Sequence, residues 1–272
     1  MTRIINGELE ARGDENVNEI QVYVCEDSIE GIFTAIYDAW ASKRGHVNNK
    51  IQLEHNTEIA LFCSYLSVKP DLEKAEKVTR SIKQKIGLEA YWYIYYMALS
   101  NRDDKADTIY RFMILGFHYG SQVMDHLSND AVNLMAKTYK RVSMERHRYT
   151  GFVRFEELSN HILVSKIRPE NNILPILAPH FVDRFSSENF MIIDESRQMA
   201  VVHPARKQWF ILSMELMDQN VLEEVSEREK EMKGAWATFV EHISIKEREN
   251  LKLQQNMCPL RYREFMPEFK KE

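Results

Sequence analysis

Hydrophobic and polar positions along the chain alternate with two periods, and the change between them outlines the elements. Gln21–Cys25 alternates as a strand and leads into a segment where Ile29, Ile32, Phe33, Ile36, Tyr37 and Trp40 recur at helical spacing. Asp27 is placed to cap that helix, with Glu30 closing a capping box, and the helix should end near Ser42–Gly45. Glu58–Val68 reads as a strand, and Pro70–Ile86 as an amphipathic helix stopped by Gly87. Leu88–Leu99 and Lys105–Tyr119 read as two buried helices joined at Ser100–Asp104. Ser128–Arg148 makes a long helix with Val132, Met135, Ala136, Tyr139, Val142 and Ser143 on one face.

After that the period shortens. Gly151–Leu158 and Ile162–Ile167 are strand-like, and Asn171–Phe185 reads as a helix despite Pro175 and Pro179. Phe190–Asp194, Met199–His203 and Gln208–Ser213 complete a run of short strands. Val221–Glu241 returns to a charged helix, followed by a tail with Pro259 and Pro267. The expected class is α+β: a helical block over about residues 70–148, packed with a small, mainly antiparallel sheet and flanking helices. One compact unit over 1–272 is the simplest organisation, with possible sub-blocks at 1–148 and 149–272. The N-terminal strand and helix fit either layer.

Composition narrows the class of protein. The 272 residues are 44% hydrophobic and 28% charged, which excludes a disordered or fibrous chain. A net charge of −5 excludes a strongly basic nucleic-acid coat protein but leaves room for a local basic patch. The start MTRIINGELE lacks a charged-then-apolar signal, and no stretch approaches about 18 uninterrupted apolar residues, so a soluble, cytoplasmic protein is expected. Cys25, Cys63 and Cys258 are odd in number and far apart, without a C-x-x-C pair. Neither a disulfide framework nor a zinc or iron–sulfur site held by this chain alone is expected, and no other metal site assembles from spacing.

Standard catalytic and cofactor motifs are missing: there is no Gly-x-Gly-x-x-Gly, P-loop, His-Glu-x-x-His or Gly-x-Ser-x-Gly. No bound cofactor is therefore expected. What stands out is a cationic stretch in which Lys137, Lys140, Arg141, Arg146, Arg148 and Arg154 face Glu145 alone, interleaved with Tyr139, Tyr149, Phe152 and Phe155. Cations neutralise phosphates and flat rings stack on exposed bases, which is the chemistry of a nucleic-acid surface. A solvated helix face with aromatics in the core accounts for the same pattern.

Two histidines offer a second thread. His147 sits in Glu145–Tyr149, while His180 and Arg184 are four apart and share a helix face, where imidazole and guanidinium together suit phosphate binding or proton transfer. Structural histidines satisfied in the interior are the alternative. The C-terminal segment adds Arg248, Asn250, Gln254, Arg261, Tyr262 and Arg263, all able to contact phosphate or base edges, or to form a solvated tail. The aromatic stripe Tyr91–Tyr96 reads as helix core.

Three blocks together carry a resemblance: His147–Phe155; Arg168–Pro175 with His180–Phe185; and Ile245–Tyr262. With the opening strand, Asp27–Phe33 and Gly116–Gly120, the chain resembles a bacterial family described as DNA metabolism or DNA repair proteins and as a domain of unknown function. The resemblance implies a radical-SAM protein as neighbouring partner, and in some members a fused uracil-DNA-glycosylase-like domain that this chain lacks. It transfers no catalytic residue. The reading that follows is an accessory protein that binds DNA through Arg146, Arg148, Arg154, Arg248, Arg261 and Tyr262. One alternative is an enzyme on DNA or a nucleotide, with His147 or His180, beside Arg184, in acid–base work. The other is a pure protein-docking module.

Overall fold

A computed structural model of the chain describes residues 19–216, 225–243 and 250–269. By its internal contacts the chain divides into two compact units: residues 1–98 with 102–136, and residues 99–101 with 137–272. The class is α+β, as the patterning predicts.

The first unit is built on three parallel strands, β1 (Ile20–Cys25), β2 (Asn49–Leu53) and β3 (Cys63–Val68), in the order β2-β1-β3. In this register Tyr23 lies between Ile51 and Leu66. The crossover from β1 to β2 is α1 (Ile29–Ala41), followed later by α2 (Leu72–Lys85), α3 (Leu88–Ala98) and α4 (Lys105–Tyr119). Ile32, Phe33, Ile36, Ile82, Ile94, Tyr110 and Phe112 form its core.

Local chemistry fixes these boundaries. The α1 cap is Ser28, not Asp27: its hydroxyl oxygen accepts from Gly31 N at 2.9 Å. Asp27 instead pairs with Lys105, a lysine only 4% exposed, at 2.5 Å. Gly87, at φ +121°, ends α2 as expected. The strand expected over Glu58–Val68 shortens to β3, and Phe62 just before it sits at φ +59°, a conformation that interrupts an extended run. Strand β2, where Lys50, Ile51, Gln52 and Leu53 alternate polar and apolar, is missing from the sequence expectations.

Asp107 and Arg111, the charges that interrupt the apolar run of α4, pin that helix to the sheet. Asp107 Oδ1 accepts from Ile51 N at 3.1 Å, while Arg111 donates to the carbonyls of His46 and Asn49 at 2.6 Å each. The N–H on the outer edge of β2 is thereby occupied by a side chain. No helix among the described residues is long and apolar enough to cross a membrane.

The second unit holds a five-stranded sheet in sequence order: β4 (Glu156–Glu157), β5 (Leu163–Ile167), β6 (Phe190–Asp194), β7 (Met199–His203) and β8 (Phe210–Ser213). It is mainly antiparallel; only β5 and β6 run parallel, joined through α6 (Leu174–Arg184). Pro175 falls in the first turn of α6, where its missing N–H costs nothing, and Pro179 is accommodated inside. Helix α5 (Asp130–Phe152) gives its first turns to the first unit and residues from 137 onward to the second.

Phe152 closes α5, so the strand expected from Gly151 is helical at its start and contracts to β4. Phe155 is drawn inward instead, its ring 5.3 Å from both Phe181 and Phe185 and 5.8 Å from Phe190. The charged helix expected over Val221–Glu241 is found as α7 (Glu227–Ile243), and α8 (Leu251–Met257) follows it.

Candidate functional site

The residues of α5 from Lys137 onward have spacings of three and four, so Lys137, Lys140, Arg141, Met144, Glu145 and Arg148 share one face. That face, the loop residues Glu170 and Asn171, and Arg261 line a cleft of about 260 Å³ within the second unit. Five cations and two carboxylates meet there.

Neither carboxylate is free. Glu145 is buried at 3% exposure and accepts three hydrogen bonds, from Glu170 N at 2.8 Å, Asn171 N at 3.0 Å and Asn171 Nδ2 at 2.6 Å. Asn171 in turn accepts from Asn101 N at 3.0 Å. Glu170 is held on every side: Arg141 donates to Oε2 at 2.8 Å, Arg261 to Oε1, and Arg197 to its carbonyl at 2.6 Å. Arg197 also pairs at 2.9 Å with Asp194, a fully buried carboxylate. Burial pushes the Asp194 carboxyl above its ordinary range, against the pull of Arg197 and two backbone N–H groups.

The other cations of the cleft are less engaged. Lys137, Lys140 and Arg148 have no carboxylate partner among the described residues, and the Arg148 guanidinium stands 5.9 Å from the Tyr262 ring centroid. The arrangement can hold an anion: two guanidinium groups converge on one carboxylate, with three further cations beside them.

The sequence candidates separate on this geometry. Arg148 and Arg261 line the cleft. Tyr262 does not present a stacking face: it is 4% exposed, with its ring 5.0 Å from Tyr149 and 5.1 Å from Phe152 and its hydroxyl accepting from Arg261 Nη2 at 2.8 Å. Burial, with Glu145 nearby, drives the Tyr149 hydroxyl far above the usual tyrosine range. Arg154 is engaged, donating to Glu268 at 2.7 and 3.1 Å and to the Gly151 carbonyl at 2.9 Å. Arg146 lies outside the cleft lining, its Nε buried without a hydrogen-bond partner among the described residues. Arg248 lies outside the described residues.

Neither His147 nor His180 lines the cleft. His147 is exposed, and the half-buried His180 ring lies 5.0 Å from Phe181. Arg184, exposed at the end of α6, lies 5.8 Å over Phe185, with no hydrogen bond to His180 among the described residues. Among the described residues no group of three or more His, Cys, Asp or Glu is arranged to hold a metal ion.

Glu170 is the residue that sequence reasoning passes over, because one glutamate in Arg168–Asn171 carries no periodic signal. Lys137, Lys140 and Arg141 are legible in the sequence as members of the cationic stretch. Segments of the three blocks quoted above converge here: Tyr149 and Phe152 pack on Tyr262, and Glu170 pairs with Arg261.

A comparison with curated proteins finds no match. Residues 103–268, more than half of the chain and including every cleft residue, match DUF4130, a domain of unknown function. The chain belongs to the DUF4130 family.

Proposed function

We propose that this protein binds the phosphate backbone of a nucleic acid in the α5 cleft, as an accessory component of DNA metabolism or repair. The observation that carries the reading is the cleft itself: Lys137, Lys140, Arg141, Arg148 and Arg261 line one surface against two carboxylates already engaged by the protein. Bound phosphates release condensed counterions, and three cations without carboxylate partners among the described residues make such release favourable. The family resemblance extends the proposal to a radical-SAM partner, to which this protein would deliver or present DNA in the cytoplasm.

Fluorescence anisotropy with labelled single- and double-stranded DNA across a salt series tests it. Lys137, Lys140 and Arg148 together should give a slope of about −3 in log affinity against log salt on duplex, and Arg148→Ala should reduce it by about one. No binding at low salt, or an unchanged slope in the variant, would overturn the reading.

A second reading, docking of a protein partner, draws on α7. Met232, Trp236, Phe239 and Ile243 recur at spacings of three and four on that helix and are all exposed. Pull-down with the radical-SAM protein, repeated with Trp236→Ala, separates it from the first: loss of capture with intact DNA binding would assign α7 to the partner.

A further inference from the structure

A second cleft lies within the first unit, between α1, α2 and α4, with a volume of about 510 Å³. Small-molecule sites commonly occupy about 300–1,000 Å³. Its floor is apolar, with Ile36 and Met113 each 1% exposed. Its walls are aromatic: Trp40 and Phe117 meet edge to face with centroids 5.1 Å apart, and Tyr37 lies along the same helix as Trp40.

Cations stand over those walls. Lys85 Nζ is 5.7 Å from the Phe117 centroid, and Lys77 Nζ is 6.0 Å from that of Tyr37. Among the described residues no Asp or Glu lines the cleft. Lys77 is paired outside it with Glu73 at 2.9 Å, whereas Lys85 has no carboxylate partner among the described residues. The dipole of α2 favours basic residues in its last turn but does not choose their direction. Lys83 stands 4.2 Å over Tyr91, while Lys85 stands over the cleft wall.

We infer that this cleft binds a small flat aromatic anion, its ring against Trp40 and Phe117 and its phosphate or carboxylate on Lys85, with Lys77 beside it. Apolar floor and aromatic walls favour a planar apolar body over a sugar or peptide. Cations without a neighbouring carboxylate in the lining favour an anionic head and oppose a cationic one.

Isothermal titration at low salt with 2-naphthyl phosphate, naphthalene-2-carboxylate and uncharged naphthalene-2-carboxamide tests the inference. At least one anion should bind about tenfold more tightly than the amide, and Lys85→Met should remove most of that advantage. Preference for the naphthyl phosphate assigns a phosphate head; preference for the naphthoate assigns a carboxylate. Lys85 is exposed, so its replacement leaves the core intact, and Lys83→Met serves as a matched control that should change nothing. Failure of both anions to bind at millimolar concentration would overturn the inference. So would binding that is insensitive to Lys85→Met but lost in Arg148→Ala, which would locate the ligand in the α5 cleft.

Discussion

Glu145 and Asn171 are joined by a 2.6 Å hydrogen bond at the base of the cationic cleft, and both are buried, at 3% and 1% exposure. A carboxylate in the middle of a basic helix face thus serves to fix a loop. It accepts three N–H groups and holds Glu170 where Arg141 and Arg261 converge.

Removing that carboxylate strands buried donors. Glu145→Ala should cost about 3 kcal/mol of stability, since each unsatisfied buried group costs about 1–3 kcal/mol. Asn171→Ala should cost less, and the double variant should show coupling of about 1 kcal/mol or more, measured by urea denaturation. Simple additivity would mean that the bond contributes nothing of its own.

Glu170 competes with any anion for Arg141 and Arg261. Glu170→Gln should therefore tighten DNA binding by about fivefold at low salt, corresponding to about 1 kcal/mol from a half-exposed ion pair. The gain should fade at high salt. Weaker binding in the same anisotropy assay would show instead that Glu170 is needed to shape the cleft.

Tyr262 belongs to the core. Tyr262→Ala should destabilise by about 3 kcal/mol through lost packing against Tyr149 and Phe152. Tyr262→Phe should cost only about 1 kcal/mol, the bond from Arg261, and leave DNA affinity within about twofold. A large affinity loss in Tyr262→Phe, with stability kept, would return the ring to the binding surface.

Asp194 makes stability depend on pH. Burial raises its carboxyl above the ordinary range, so the native state keeps this proton to higher pH than the unfolded chain does. The stability that the proton provides is complete below the unfolded-state value, about 4, and is lost as pH rises through the folded-state value. Arg197→Met removes the opposing charge and raises the folded-state value further. Thermal and denaturant unfolding should show a loss of about 3 kcal/mol at pH 7 and a smaller one under mildly acid conditions. Equal losses at both would assign the effect to the carbonyls of Pro169 and Glu170, which Arg197 also binds.

In α2, α3, α4 and the strands after α6, the period along the sequence determined the element. α2, α3 and α4 lie within a residue or two of their expected limits, and the three short strands after α6 fall in place, because burial of one face imposes its spacing locally. The cationic stretch was visible through charge density, with six Lys and Arg against one Glu between Lys137 and Arg154. The pairing of Asp27 with Lys105, which leaves Ser28 to cap α1, the packing of Phe152 on Tyr262 at the extended end of α5, and the pairing of β2 with β1 were decided by tertiary contacts. Charge pairing decided most about the site. A sequence shows that Arg154, Arg261 and Glu170 exist, but only the fold decides that Arg154 is engaged by Glu268 while Arg261 meets Arg141 across Glu170. Glu268 lies 114 residues from Arg154, and Glu170 lies 91 from Arg261 and 29 from Arg141, beyond the reach of any local pattern.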